Sequence, residues 1–496
     1  MSGTIQQTVS FDEISYDIRR PQTIIEVAPN YSNLGLVGYP AKAILLGQMM
    51  AGAAGSPGVP YAIQRTGQPE ALFGDASQLA EMCNAFRLAN GFTPLFAMGA
   101  LPPANSTAAQ AALTMNGLPV VTAGTVPFYV AGRYVPLIVR TSDSLAQQAA
   151  NLAAAINADT RMPVVASSNG AVATLTAKNA GDVGNALQVR IGLRGDELLP
   201  PGFLCGIGAF TGGAGAPDIT PLLARLGSDW YTDLATGWTD ANNLAVLCAE
   251  LDRRYAAPSG LDMHAYAGRS LTLGEALLDG PTLNSRFLTR LPAGRSPSAP
   301  WAWAASATGV ASFHLTNDPA RQLKTLALPG ILPPALADRY DGPGQEQLLR
   351  NGMSTFAALS DGTVTLQRVI SCYQQSAAGV PDTAWLDIMA AKTMSRIRWD
   401  WEVRVALTFP RHKLCDDGSP AAQFSDAVVT PRRLWNLWAA AAKDYERAGW
   451  IEGAAATSQQ SVFVRPDSDR DRVNARQLVN RIGNLMVLAA RLEFLV

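Results

Sequence analysis

The last residues of the chain alternate. Leu488, Ala490, Leu492, Phe494 and Val496 fall on one face, and Arg491 and Glu493 on the other. That is the period of two of a half-buried strand. The run continues to the final residue, with no turn after it to bring a partner from its own chain. A strand in that position leaves N–H and C=O groups unpaired unless it joins a sheet edge. Two readings stand: a strand that closes its own domain, or a strand donated to another subunit. The other end carries a similar pattern. Ile14, Tyr16 and Ile18 alternate with Ser15, Asp17 and Arg19, Pro21 ends the run, and Ile24, Ile25 and Val27 follow. The stretch from Met1 to Ser10 is uncharged and lacks the apolar h-region of a signal peptide. An extended arm at each end points to a polymer-forming protein.

Between the arms the pattern alternates between strand and helix. Ala43 to Leu46 predicts a buried strand, and Ala51 to Pro60 a loop. Asp75, with Gln78 three residues on, predicts a capped helix whose stripe is Leu79, Met82, Cys83 and Phe86, stopped at Gly91. Leu95 to Met98 predicts a strand. The stretch from Pro103 to Arg194 is rich in Thr, Ala, Val and Gly and poor in charge. It reads as a small α+β unit set into the α/β domain. Its strands are Val120–Val121, Phe128–Val130, Tyr134–Val139, Val164–Ala166, Ala171–Ala177 and Ala186–Ile191. Its helix is capped by Ser142 or Asp143 and carries Leu145, Ala149, Leu152 and Ile156. The α/β pattern resumes at Phe203, with helices opening at Thr220–Pro221 and spanning Ala241 to Tyr255. Pro292 to Gly309 is a Pro/Gly/Ala-rich region containing Trp301 and Trp303. From Gly362 a further α/β domain follows. It comprises a strand Val364–Ile370, an amphipathic helix Thr383–Thr408, a helix from Thr430–Pro431 to Gly449, strands at Trp450–Ile451 and Val462–Arg465, and a short helix near Asn474 to Ile482.

Composition narrows the picture. The chain has 496 residues, enough for roughly three domains. Charged residues make up 16%, against a typical ~25%, which suits a subunit that hides much of its surface in contacts. A net charge of −1 gives no general pull towards nucleic acid. No apolar run reaches the roughly 18 residues of a membrane helix. The five cysteines are widely spread with no CxxC, and read as reduced thiols of a protein made in a cytosol.

The candidate chemistry is thin. A serine protease needs Ser, His and Asp in one site. His264, His314 and His412 are the three histidines, and none sits in a protease motif. Gly206 to Gly212 (GIGAFTG) has the look of a dinucleotide loop, but Pro217 and Pro221 intervene before the next helix, so it reads as a plain loop. Asp467, Asp469 and Asp471 mimic the start of a calcium loop, yet Arg472 and Leu478 stand where Gly and Glu are required. The expectation is no catalytic, cofactor or metal site.

The ordered series of segments along the chain resembles the sheath proteins of contractile phage tails of the Mu-like kind. It includes Asn116–Gly117, Leu152 to Asn157, Pro163 to Leu187, Asp318 to Arg321, Leu328 to Ile331, Leu348 to Gly352 and Gly362 to Gln375. The clearest stretch is Pro381 to Gly418, with Trp385–Leu386–Asp387, Arg396–Ile397–Arg398 and Phe409 to Leu414. Asp471–Arg472–Val473 and Leu478–Val479–Asn480 complete it. The resemblance implies a multidomain α/β and α+β fold. Residues 1–30 would be an extended arm, and 31–102 with 195–360 an α/β core that carries a subtilisin-like label in the family. Residues 103–194 would be an inserted, outward-facing α+β domain, 361–484 an inner, tube-proximal α/β domain, and 485–496 a donated strand. It implies a structural subunit of a myovirus virion, made in the host bacterial cytoplasm, that stacks as hexameric rings of its own copies around a tail tube. The sheath would contract to drive the tube through the host envelope for genome ejection. Its partners would be tube, baseplate and tail terminator proteins, with no nucleic acid, no membrane insertion and no cofactor. Strand exchange would fall to Ile14, Tyr16, Ile18, Ile24, Ile25, Val27, Leu488, Leu492, Phe494 and Val496. Tube contact would fall to Arg470, Arg472, Arg476 and Arg481, which otherwise form a solvated face. The sheath of a bacteriocin or secretion machine, and a hydrolase with degenerate motifs, are the alternatives.

Overall fold

The computed structural model describes residues 19, 20, 23, 25, 38–193 and 196–494. The chain divides into two compact units. The larger is Ala41–Asn317 with Arg321–Ala391; the terminal unit is Met1–Pro40, Asp318–Ala320 and Lys392–Val496.

The larger unit begins with β1 (Ala43–Gln48), β2 (Tyr61–Ile63), α1 (Gln68–Phe73), α2 (Gln78–Ala89) and β3 (Leu95–Ala100). An insert follows: β4 (Gln110–Met115), β5 (Gly124–Val130), β6 (Arg133–Val139), α3 (Leu145–Asn157), β7 (Val164–Asn169), β8 (Val172–Ala177), β9 (Val189–Ile191) and β10 (Cys205–Ile207). Then come α4 (Thr220–Arg225), β11 (Asp233–Thr236), α5 (Ala241–Tyr255), β12 (His264–Arg269), α6 (Leu273–Asp279), β13 (Leu288–Pro292), α7 (Pro300–Asn317), α8 (Gly342–Arg350), β14 (Thr355–Ala358) and β15 (Val364–Arg368).

The central sheet runs β13-β12-β11-β1-β3-β2, parallel except for β2. Strand β1 is buried along its whole length, as a parallel strand covered on both faces must be. Helix α7 crosses β11 and β12 and packs on α2. It is buried from Pro300 to Ser312 on every side, so it has no polar stripe. The Pro/Gly/Ala-rich reading of Pro292–Gly309 is therefore corrected to a core helix from Pro300 onward. Small residues let it approach closely: a Cβ on Gly309 would stand 2.9 Å from the Phe86 carbonyl, and one on Gly268 would collide with the Pro300 carbonyl.

The insert holds two antiparallel sheets, β10-β4-β8-β7 and β6-β5-β9, with α3 packed on strands of both. Because β10 pairs with β4, the insert's sheet continues past residue 194, where the sequence reading ended it. The chain enters and leaves beside itself, through a bridge between Thr107 and Ala214. Val120–Val121 is not a strand; the backbone there is held by Val121 N–H donating to Pro201 O. The pairing read from Ala186 begins at Val189, after a single turn over Asp182–Ala186.

Two caps shift. Ser77, not Asp75, caps α2, its Oγ accepting from Ala80 N–H at 3.1 Å, while Asp75 accepts from Thr160 Oγ1. Ser144 caps α3, and Asp143 accepts from Arg140 N–H instead. In both cases the nearby carboxylate already has another partner.

The terminal unit contains most of α9 (Ile388–Thr408), then β16 (Lys413–Leu414), α10 (Pro420–Phe424), β17 (Val428–Val429), α11 (Pro431–Arg447), α12 (Ala454–Gln460), β18 (Val462–Val464) and β19 (Asn474–Arg476). Helix α9 starts at Ile388 and not at Thr383, because Asp387 bridges Ile370 and pairs with Arg368 at 3.2 Å. The core of this unit is aromatic. Trp401 meets Trp438 edge-on at 5.4 Å, and Tyr445 stacks on Trp450 at 5.7 Å. Asp400 is fully buried but satisfied: Tyr445 Oη donates to it at 2.7 Å and Arg404 Nε at 2.5 Å. The short helix expected near Asn474–Ile482 is corrected to a strand followed by extended chain. Asn474–Arg476 ladders onto β18, Leu478 N–H donates to Ser461 Oγ, and Arg481 bridges Ile451. These external partners take the backbone groups that a helix would have used.

Candidate assembly surfaces

The carboxy-terminal tail displays a run of exposed apolar side chains. Beyond Ile482, residues 483–494 form no strand or helix. Leu485, Val487, Leu488, Leu492 and Phe494 are 70–98% exposed. Arg491 and Glu493 pair at 2.6 Å, as side chains two apart on one face of an extended chain can. At the other end Ile25 is 82% exposed. Ile14, Tyr16, Ile18, Ile24, Val27 and Val496 lie outside the described residues.

Strands β18 and β19 make a two-stranded ribbon in the register Val462↔Arg476, Phe463↔Ala475 and Val464↔Asn474. Phe463 turns inward onto the aromatic core, while Val462 and Val464 are 45% and 50% exposed. Among the described residues the ribbon has no third strand. Such a ribbon offers backbone donors and acceptors at its edges.

The four arginines read as tube contacts sit beside this ribbon. Arg470 and Arg472 belong to the turn that joins its strands, Arg476 ends β19, and all three are exposed; Arg481 is half-buried. Their surface is mixed, because the same turn carries Asp467, Asp469 and Asp471.

Tyr39 and the chain at Ile482 meet at one aromatic cluster of the terminal unit that the sequence reading missed. The guanidinium of Arg396, on α9, lies 4.7 Å from the ring of Tyr39, 5.3 Å from Trp399 and 5.6 Å from Trp450. Tyr39 also meets Trp399 edge-on at 5.5 Å. Burial pushes the Arg396 pKa down, opposed by Tyr39, Asp400 and Tyr445. On the backbone side, Ile482 N–H donates to Trp450 O at 3.2 Å, and Glu452 N–H to Asn480 O at 2.9 Å. The sequence signal was slight: one Arg–Ile–Arg triplet preceding a Trp-Asp-Trp on a helix.

The sites weighed for chemistry resolve into structure. His264 is buried, with Nε2 2.8 Å from Thr289 Oγ1. It is the cross-strand neighbour of Asp233, whose carboxylate accepts from Thr232 Oγ1 at 2.9 Å. Both stand at the N-terminal ends of parallel strands, opposite the end where α/β sheets hold ligands. His314 sits in the last turn of α7, and burial, then Arg321, lowers its pKa. His412 lies beyond α9 in the terminal unit. The Gly206–Gly212 segment laces onto β4 through Gly208 N–H to Ala112 O and Thr211 N–H to Gln110 O, and so forms no cradle. Among the described residues no three His, Cys, Asp or Glu side chains are grouped to hold a metal ion, and no helix is long and apolar enough to cross a membrane.

Comparison with known proteins accords with the resemblance read in the sequence. The Mu-like prophage FluMu tail sheath protein of Haemophilus influenzae is 28% identical over 494 residues, 99% of this chain and 100% of that one. Two solved structures share the mixed α/β multidomain fold. The sheath tail protein of Desulfitobacterium hafniense has a TM-score of 0.51 at 12% identity, covering 93% of this chain and 96% of its own. That of Listeria innocua has a TM-score of 0.50 at 10% identity, covering 92% and 94%. No family profile matches the chain.

Proposed function

We propose that this chain, similar along its whole length to a prophage tail sheath protein, is the structural subunit of a contractile phage tail sheath. The observation that carries the reading is that full-length similarity, which leaves neither chain with a large unmatched domain. The subunits stack as hexameric rings around a tail tube, capped by a terminator and seated on a baseplate, and contract to drive the tube through the host envelope. The role is structural and not enzymatic. The protein resides in the virion tail after synthesis in the host bacterial cytoplasm.

The arms carry the lattice. Leu488, Leu492, Phe494 and Val496 at one end, and Ile14, Tyr16, Ile18, Ile24, Ile25 and Val27 at the other, join the β18–β19 ribbon of neighbouring copies. The exposure of the described tail residues and the open ribbon support this. Each added ladder hydrogen bond contributes about 0.5–1.5 kcal/mol. Each buried Leu or Phe contributes roughly 1.5–3 kcal/mol. The terminal unit lines the tube, with Arg470, Arg472, Arg476 and Arg481 making a weak electrostatic contact that contraction releases, and the insert faces outward.

Negative-stain microscopy of the concentrated full-length protein tests the reading: tubes or stacked rings are expected, and a small closed oligomer overturns it. Charge reversal at Arg476 and Arg481 should weaken co-assembly with the tube protein, more so at low salt where surface charge is least screened. Unchanged co-assembly at low salt removes these residues from the contact.

A further inference from the structure

Tyr39 and the start of the carboxy-terminal tail are separated by almost the whole sequence, yet both connect to one residue. On the amino-terminal side the root is Tyr39, which touches the Arg396 guanidinium, which in turn reaches Trp450. On the carboxy-terminal side the root is a short antiparallel ladder. Its members are Ile482 N–H to Trp450 O, the bridge between Ile451 and Arg481, and Glu452 N–H to Asn480 O. Trp450 thus serves one arm with its ring and the other with its carbonyl. It is 3% exposed and backed by Tyr445, whose Oη is itself tied to Asp400.

We propose that Trp450 is a coupling node, through which the anchorage of the amino-terminal arm sets the anchorage of the carboxy-terminal arm. A desolvated guanidinium among aromatic faces is held by directional attraction that weakens as the rings move away. Removing the Tyr39 ring takes away one of the three faces that hold Arg396 over Trp450. The indole then loses its restraint on that side, and residues 450–452, which carry the ladder to 480–482, loosen with it. Arg396 and Tyr39 are positioning residues in this proposal: they act on the tail's ladder through Trp450. In a sheath, whose reading this deepens, a pull on one arm would pass to the other across the terminal unit alone.

Amide hydrogen exchange on the full-length protein tests the coupling in the single chain, whether or not it forms tubes. Tyr39→Ala should speed exchange at Ile482 and Glu452 about tenfold, the factor expected when one cation–π interaction of a desolvated arginine is removed. Tyr39→Phe, which keeps the ring, should exchange as the natural protein does. Leu434, whose amide donates to Thr430 O at the far end of α11, should not change in either variant. Unchanged exchange at Ile482 and Glu452 in Tyr39→Ala overturns the proposal. So does equal acceleration at Leu434, which would mean general loosening, and so does a Phe variant as fast as the Ala variant. A protein that forms no tubes but shows the predicted exchange would sink the sheath reading and leave the node intact.

Discussion

Glu81, on α2, accepts a hydrogen bond from Trp301 Nε1 at 2.7 Å. Desolvation raises its pKa above the ordinary 4.5, opposed by Arg133 and by that hydrogen bond. A carboxyl whose folded pKa is raised holds its proton more tightly when folded. Stability therefore falls as pH climbs from about 4.5 through the raised folded value, and stays lower above it. Glu81→Gln keeps the acceptor and removes the charge. Its melting temperature should lack that decline and exceed the natural protein's near pH 7. A parallel pH dependence in the two proteins would show that Glu81 is not responsible. The same scale shows what single residues reveal in a sequence. That a helix would start near position 77 was legible; which of Asp75 and Ser77 caps it depended on Thr160, in the insert, taking the aspartate.

Long amphipathic helices were legible and the helix covered on every side was not. Helices α5 and α11 were placed almost to the residue, each with a side-chain cap and one buried stripe. Helix α7 gave no period because every side of it is covered, so its stretch read only as a Pro/Gly/Ala-rich region. Strand β19 is three residues without an apolar alternation, so the pairing with β18 that makes it a strand is invisible locally. The tail's alternation was plain, whereas the cluster at its root depends on the meeting of Tyr39, Arg396 and Trp450, which no local pattern encodes. The tail gives the prediction at this scale. Removing Leu485–Val496 deletes side chains that, among the described residues, are mostly exposed, and leaves the ladder to Ile482 in place. The shortened chain should be soluble and monomeric, with near-native helix content by circular dichroism, and should form no tubes. Tubes from it, or an unfolded chain, would mean that the segment serves its own domain.

For the molecule as a whole, the insert is the separable part. Its ends meet at the Thr107–Ala214 bridge, so a short Gly/Ser linker can replace residues 104–214. Polar groups tie it to the start of the central sheet and to α2. Asn179 accepts from Gln78 N–H at 3.1 Å and donates to Ala76 O at 3.0 Å, and Gln48 Nε2 donates to Ala180 O at 2.8 Å. The deletion should lower stability by about 1–3 kcal/mol, the cost of leaving such groups unpaired, and still permit tubes. Calorimetry and microscopy check both, and a core that fails to fold would make the insert part of it. The composition shift begins at Pro103, and the sheet's pairing extends past residue 194 because Cys205–Ile207 joins it through β4.

The order of strands also has a consequence in time. Strand β1 lies between β3 and β11, and Thr232 Oγ1 reaches Lys42 O across 190 positions of chain. At ribosomal speeds of 5–20 residues per second, roughly 10–40 s pass between the emergence of β1 and that of its second neighbour. Throughout that interval the Ala-Ile-Leu-Leu segment is a sheet edge with nothing beside it on one side, while the insert, whose strands all lie between Gln110 and Ile207, can finish before β11 emerges. A nascent chain of this protein should therefore gain protease resistance in its middle first, and depend on a host holdase at its beginning until Thr236 has left the exit tunnel.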